Sequence, residues 1–196
     1  MANQPIERTA PCCASARKVS RQVQRTIGRS INTNAAMTSK ATKPPLAKPY
    51  TGGCACGAIR YECSSEPMFT WICHCRECQR STGGGGAVNA VFEGASVKYL
   101  HGAPKFHQSI GTTGHRTYRG FCAECGSPLA AKADLFPWIH GISVASLDEP
   151  DRLKLDANIW TQSAQPWDFL APHLPKYPGT PSESDLAELV KLKAQN

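Results

Sequence analysis

The chain has 196 residues with 22 Lys and Arg against 15 Asp and Glu, a formal charge of +7. Nine of those basic residues, and only Glu7 of the acidic ones, precede Pro49, so residues 1–48 carry +8 and the remainder −1; the latter part lacks the electrostatic footprint of a nucleic-acid-binding core. No apolar run approaches the roughly 20 residues of a membrane-spanning helix, and none has the apolar stretch of a secretory signal, so the chain reads as soluble and cytoplasmic, without a membrane partner.

Residues 1–49 mix Arg, Ser, Thr, Ala and Pro with few large apolar groups, a composition that buries too little surface to offset the entropy of ordering. A disordered basic tail is expected there. Within it Val19, Val23 and Ile27 recur every four residues, as do Arg21, Arg25 and Arg29, two stripes that a helix would set on different faces. Arg-rich, Ser-rich and acid-poor is also transit-peptide composition, which would send the protein to mitochondria. An upstream extension of a chain beginning at Met37 is the other reading. Cys12 and Cys13 are read as incidental.

From Tyr50 the texture changes to short alternating runs broken by Gly and Pro. Ile59, Tyr61 and Cys63 alternate with Arg60 and Glu62, Val97 and Tyr99 flank Lys98, and residues 87–92, 115–121 and 139–145 are further candidates. Closely spaced short strands predict a mostly β domain over residues 50–181, with Cys63 in its core. Residues 182–196 read as a C-terminal helix, with Ser182 or Ser184 as its cap, Glu183 and Asp185 at its positive end, and Leu186, Leu189 and Val190 as its apolar stripe.

Seven of the ten cysteines fall in three clusters, Cys54/Cys56, Cys73/Cys75/Cys78 and Cys122/Cys125. In a reducing compartment, disulfides are disfavoured, and a thioredoxin-like Cys-x-x-Cys should open a helix in a βαβ unit that the pattern lacks. Spacings of one or two residues let neighbouring thiolates converge on one cation, which points to zinc. A closed structural zinc takes four ligands, and three protein ligands leave a position open. Four plus three accounts for every clustered cysteine: Cys54, Cys56, Cys122 and Cys125 as one site, Cys73, Cys75 and Cys78 as the other, two zinc ions per chain. The second site is read as open, with closure by a fourth ligand such as a histidine as the alternative. His74 is expected to point away from the metal, and His101, His107, His115, His140 and His173 follow no ligand spacing.

The ordered segments GGCACGAIRYE, CHCRECQRSTG and GFCAECGSPL, followed by SLDEP, NIW and PWDFL, together resemble the glutathione-dependent formaldehyde-activating enzyme family, which includes the centromere-protein-V relatives. The resemblance spans about residues 50–181. It implies a zinc-bound, mostly antiparallel β fold of the tent-like type shared with small Rab exchange factors. It also implies the same division of the cysteines, with Cys54, Cys56, Cys122 and Cys125 structural and Cys73, Cys75 and Cys78 catalytic. One departure stands out: Asn158 precedes Ile159 and Trp160 where the family commonly has histidine.

Three thiolates on Zn²⁺ make a poor Lewis acid for water but a good holder of another sulfur. A carbon–sulfur lyase is therefore expected, with glutathione or a related thiol at the open position and formaldehyde as the family's carbonyl partner. Gly83, Gly84 and Arg80, just after the triplet, are candidate contacts for a substrate carboxylate, and Trp160 and Trp167 are candidate pocket walls. The rival reading is a non-enzymatic zinc module whose basic tail contacts chromatin or microtubules. Oligomeric state is not legible in the residues.

Overall fold

The computed structural model describes residues 49–194. The expectations placed on residues 1–48, namely the basic tail, its two stripes and the Cys12/Cys13 pair, lie outside the described residues.

Among the described residues, eleven strands form two sheets. The smaller has the order β1 (Tyr50–Gly53), β2 (Arg60–Cys63), β5 (Val97–His101) and is antiparallel throughout. The larger runs β11 (Lys176–Tyr177), β10 (Ala157–Ile159), β3 (Phe69–Cys73), β4 (Ala87–Glu93), β9 (Ile139–Ser143), β8 (Pro128–Ala133), β7 (Arg116–Phe121), β6 (Lys105–Ile110). It is antiparallel except where β10 pairs parallel with both β3 and β11. A short helix α1 (Arg76–Thr82) interrupts the path from β3 to β4, and α2 (Glu183–Ala194) follows the last strand. The chain is therefore mostly β with a C-terminal helix, as its alternation predicts. No closed barrel forms among the described residues.

The two sheets meet across a shared core. Ile59, Tyr61 and Cys63 all turn inward, at 4 %, 0 % and 0 % exposure, against Ala90, Phe92, Leu129, Ala130 and Ile142 of the larger sheet. Period-two alternation on a half-buried sheet produces this one-sided packing. On the other face of the larger sheet, Phe69, Val91 and Ala157 pack with Leu186 and Leu189 of α2. That helix is capped as the sequence suggests: Asp185 N–H donates to Ser182 Oγ at 3.2 Å, and Ser182 N–H donates back to Asp185 Oδ2 at 2.8 Å, a reciprocal cap of the capping-box kind. Val190 departs from the expected stripe. It is 37 % exposed, because the packed face is narrow and Leu186 and Leu189 alone fill it.

Candidate metal centres and the adjoining chamber

The turn from β1 to β2 and the turn from β7 to β8 are built alike. In the first, Gly57 N–H donates to Cys54 O at 3.1 Å; in the second, Gly126 N–H donates to Cys122 O at 2.9 Å. Gly57 and Gly126 have φ of 78° and 74°, the left-handed region that glycine enters without penalty. Each turn presents two sulfurs, and the two turns meet: the Sγ atoms of Cys54, Cys56, Cys122 and Cys125 all lie within 4.8 Å of one another. Cys54 and Cys56 are 3.5 Å apart and Cys56 and Cys122 are 3.8 Å apart. Tetrahedral zinc with Zn–S bonds of about 2.3 Å places its sulfurs about 3.8 Å apart, so this donor set fits the ion. Cys125 is held well below the ordinary thiol range, at about 5, by the Ser127 hydroxyl and the Ser127 backbone N–H.

Cys73 ends β3, Cys75 caps α1 by accepting from Cys78 N–H at 3.4 Å, and Cys78 lies in the first turn of that helix. Their three sulfurs also lie within 4.8 Å of one another, and no fourth His, Cys, Asp or Glu ligand atom joins them among the described residues. Hydrogen bonds from Cys73 and then Cys78 pull the Cys75 thiol far down, while its Cys75 and Cys78 neighbours and burial push Cys73 well up. Ionisation of all three sulfurs at such close range is opposed by their mutual repulsion, which a cation among them would offset.

The residues around the triplet hold it in shape. Gln79 is 5 % exposed, and its Nε2 donates to His74 O at 2.7 Å and to Ser163 O at 2.9 Å. His74 is fully buried and turned away from the sulfurs, as expected: its Nδ1 donates to Asp168 Oδ2 at 2.7 Å, and its Nε2 lies 3.2 Å from Asn158 Oδ1. Asn158 is 2 % exposed and touches His74; it does not border the cavities beside the triplet.

A chamber of about 180 Å³ opens beside the three cysteines, walled by Trp71, Val91, Leu135, Phe136, Ile139 and Trp160, with Glu77, Asn89 and Arg119 also bordering it. A second cavity of about 240 Å³ reaches Cys78, Asn89 and Arg119 and is bordered by Ser81, Thr82, His107 and Ser143. Of the substrate contacts suggested by sequence, Trp160 alone lines the chamber. Arg80, Gly83 and Gly84 are exposed and border neither cavity. The glycine run has a different geometry. Gly83, at φ 71°, ends α1 by donating to Gln79 O, and a Cβ on Gly85 would stand 2.7 Å from the Asp168 carboxylate. Trp167 is 71 % exposed and lines neither cavity.

Sequence reading did not single out Arg119, Glu77, Trp71 or Asp168. Arg119 Nη1 donates to Ser109 Oγ and Thr117 Oγ1, both at 3.1 Å, and its charge acts on Cys78. The alternation of β7 does place Thr117 and Arg119 on one face, but nothing local says that this face turns to Cys78.

The family model described as "Glutathione-dependent formaldehyde-activating enzyme" matches residues 49–163, more than half of the chain. The chain belongs to that family. A Halomonas elongata protein named "Putative glutathione-dependent formaldehyde-activating enzyme" is 34% identical over 85 residues, 40% of this chain and 52% of its own length. The chain thus spans about half the length of that curated relative. A crystal structure of a Rhodobacter sphaeroides protein superposes with a TM-score of 0.42 at 21% identity, covering 64% of this chain and 98% of that one. Within this glutathione-dependent formaldehyde-activating enzyme family member, both cysteine groups could hold a metal ion, and their all-sulfur donor sets suit zinc.

Proposed function

We propose that the chain is a zinc-dependent carbon–sulfur lyase that makes or breaks the adduct of a thiol, glutathione or a relative of it, with a small carbonyl compound. The observation that carries this reading is the convergence of Cys73, Cys75 and Cys78, without a fourth ligand among the described residues, beside a mostly apolar chamber. Zinc held there would supply the positive charge that keeps a fourth sulfur as thiolate at neutral pH. Cys54, Cys56, Cys122 and Cys125 would hold the other zinc in a closed, structural role, pinning the β1–β2 turn to the β7–β8 turn.

The chain's own residues support the same chemistry. Gln79 and His74 fix the backbone between the sulfurs, so the open position is preorganised before substrate arrives. Three cysteine thiolates and a substrate thiolate around one Zn²⁺ carry a net charge of −2, and Arg119, half-buried beside Cys78, offsets part of it. Arg119 makes no ion pair among the described residues, so its remaining N–H groups are free to meet a carboxylate on the thiol. Metal analysis with anomalous diffraction from crystals soaked in glutathione tests the reading: two metals per chain are expected, with the glutathione sulfur at the Cys73/Cys75/Cys78 site. A site closed by a protein side chain in those crystals would overturn it.

A further inference from the structure

The three cysteines border one cavity, and Cys78 borders a second as well. Asn89 and Arg119 also border both. The second cavity is of mixed character: Ser81, Thr82, His107 and Ser143 offer hydrogen-bonding groups among Phe121, Pro128, Leu129 and several alanines. The chamber of about 180 Å³ is walled chiefly by two tryptophans, a phenylalanine and aliphatic side chains, with Glu77, Arg119, Lys132 and several threonines at its border. Trp160 takes its place in that wall with φ at 59°, the sole non-glycine residue with positive φ among those described. A bulky side chain pays for that conformation, and strain of this kind persists where the surroundings enforce it, often at binding sites.

A thiol–carbonyl adduct branches at sulfur. One arm is the body of the thiol, and the other is whatever the carbinol carbon carries. A polar thiol such as glutathione finds hydrogen-bonding partners in the second cavity, in Ser81, Thr82, His107 and Ser143. The apolar chamber then receives the carbon's substituent, and formaldehyde has none. A cavity of about 150 Å³ with apolar walls holds a benzene ring, so about 180 Å³ admits a phenyl or branched alkyl group. Resting on the thiol-adduct reading above, we propose that the carbonyl substrate of this chain is an aldehyde with an apolar substituent of that size. The step is balanced without an oxidant. The C–S bond breaks with its electron pair left on sulfur, the hydroxyl proton passes to solvent, and the carbon becomes the aldehyde carbonyl; synthesis is the reverse.

The test uses the zinc-loaded full chain and glutathione adducts of formaldehyde, isovaleraldehyde and phenylacetaldehyde, with exchange rates measured by NMR and each divided by its own uncatalysed rate. An apolar pocket discriminates by about tenfold or more per group it was shaped to hold, so at least about a tenfold greater acceleration is expected for the two larger adducts. Equal or greater acceleration of the formaldehyde adduct overturns the inference and leaves the thiol-adduct reading standing. Acceleration of none overturns both. Because Trp71 and Trp160 line the chamber, saturation with the phenylacetaldehyde adduct should also shift tryptophan emission more than the formaldehyde adduct does; identical spectra count against the inference. Ala133→Phe places a ring in the chamber and should erase the ranking of adducts, and Leu135→Trp at the partly exposed rim carries the same expectation should the first variant not fold. An unchanged ranking in the folded variant overturns the assignment.

Discussion

His74 Nδ1 stands 2.7 Å from Asp168 Oδ2, across 94 residues of chain, and this contact ties the PWDFL loop to the middle of the sulfur triplet. The imidazole is fully buried, and the carboxylate lies against Gly85. Asp168→Ala leaves a buried donor without an acceptor, which costs about 1–3 kcal/mol. Asp168→Asn retains an acceptor of the same shape and should recover most of that loss. Urea unfolding of the two variants measures the difference; equal midpoints would show that the contact contributes no stability.

The thiol clusters divide into two consequences. Cys75→Ser removes one of three local sulfurs on an otherwise intact strand end and helix, so metal content should fall from two ions per chain to one with the far-ultraviolet circular dichroism unchanged. Cys122 is 1 % exposed and joins turns from both sheets. A structural zinc contributes on the order of 10 kcal/mol, comparable with a domain's entire stability, and Cys122→Ser should not fold. If Cys75→Ser lost both metals and its fold, the two sites would not be independent.

How much of this was legible in the sequence follows from how locally each feature is specified. The alternating run Ile59, Tyr61 and Cys63, which enters β2, is legible because one face of it is buried and every second residue shows it. The strands β10 and β11, of three and two residues, carry no such pattern: β10 pairs parallel with β3, 86 residues earlier at Asn158 and Ile72, and β11 pairs in turn with β10. Helix α1 escapes because seven residues are too few for a 3.6-residue period to register, and its cap is a cysteine rather than Ser, Thr, Asp or Asn. The cysteine groups were legible from count and spacing, since ligand number constrains them whatever the fold. Arg80 is a candidate in the sequence because it is near the triplet along the chain, whereas nothing local marks Arg119. In the fold, α1 turns Arg80 outward, and β7 brings Arg119 alongside Cys78.

Acid should weaken the fold through His140. Burial, with the Lys132 charge behind it, lowers this imidazole from 6.5 to about 4, and its Nε2 lies 3.2 Å from the Tyr99 hydroxyl. Above pH 6.5 neither the folded nor the unfolded chain protonates it, and its contribution is fully present. As pH falls from 6.5 towards 4 the unfolded chain takes up the proton first, so stability is lost, by about 3 kcal/mol in all. Below about 4 both states are protonated and the loss stops growing. His140→Gln should flatten this part of the stability–pH curve; an identical slope in the variant would assign the acid sensitivity elsewhere.

The C-terminal helix is tied to the chamber through one layer of side chains. Leu189, 2 % exposed, belongs to the same buried cluster as Val91 and Phe69, and Val91 walls the chamber. Lys193 adds a polar anchor, donating to Pro67 O at 2.8 Å with its Nζ 3.7 Å from Asp156. Leu189→Ala should cost about 2–5 kcal/mol, the range for a buried leucine whose cavity collapses only in part. The same cavity gives Val91 room to withdraw from the chamber wall, so the variant should also weaken binding of an apolar ligand there more than it weakens metal binding. Calorimetric titration with the phenylacetaldehyde adduct, set beside zinc content, separates the two. Proportionate loss of both would mean that α2 supports the sheet as a whole rather than the chamber wall.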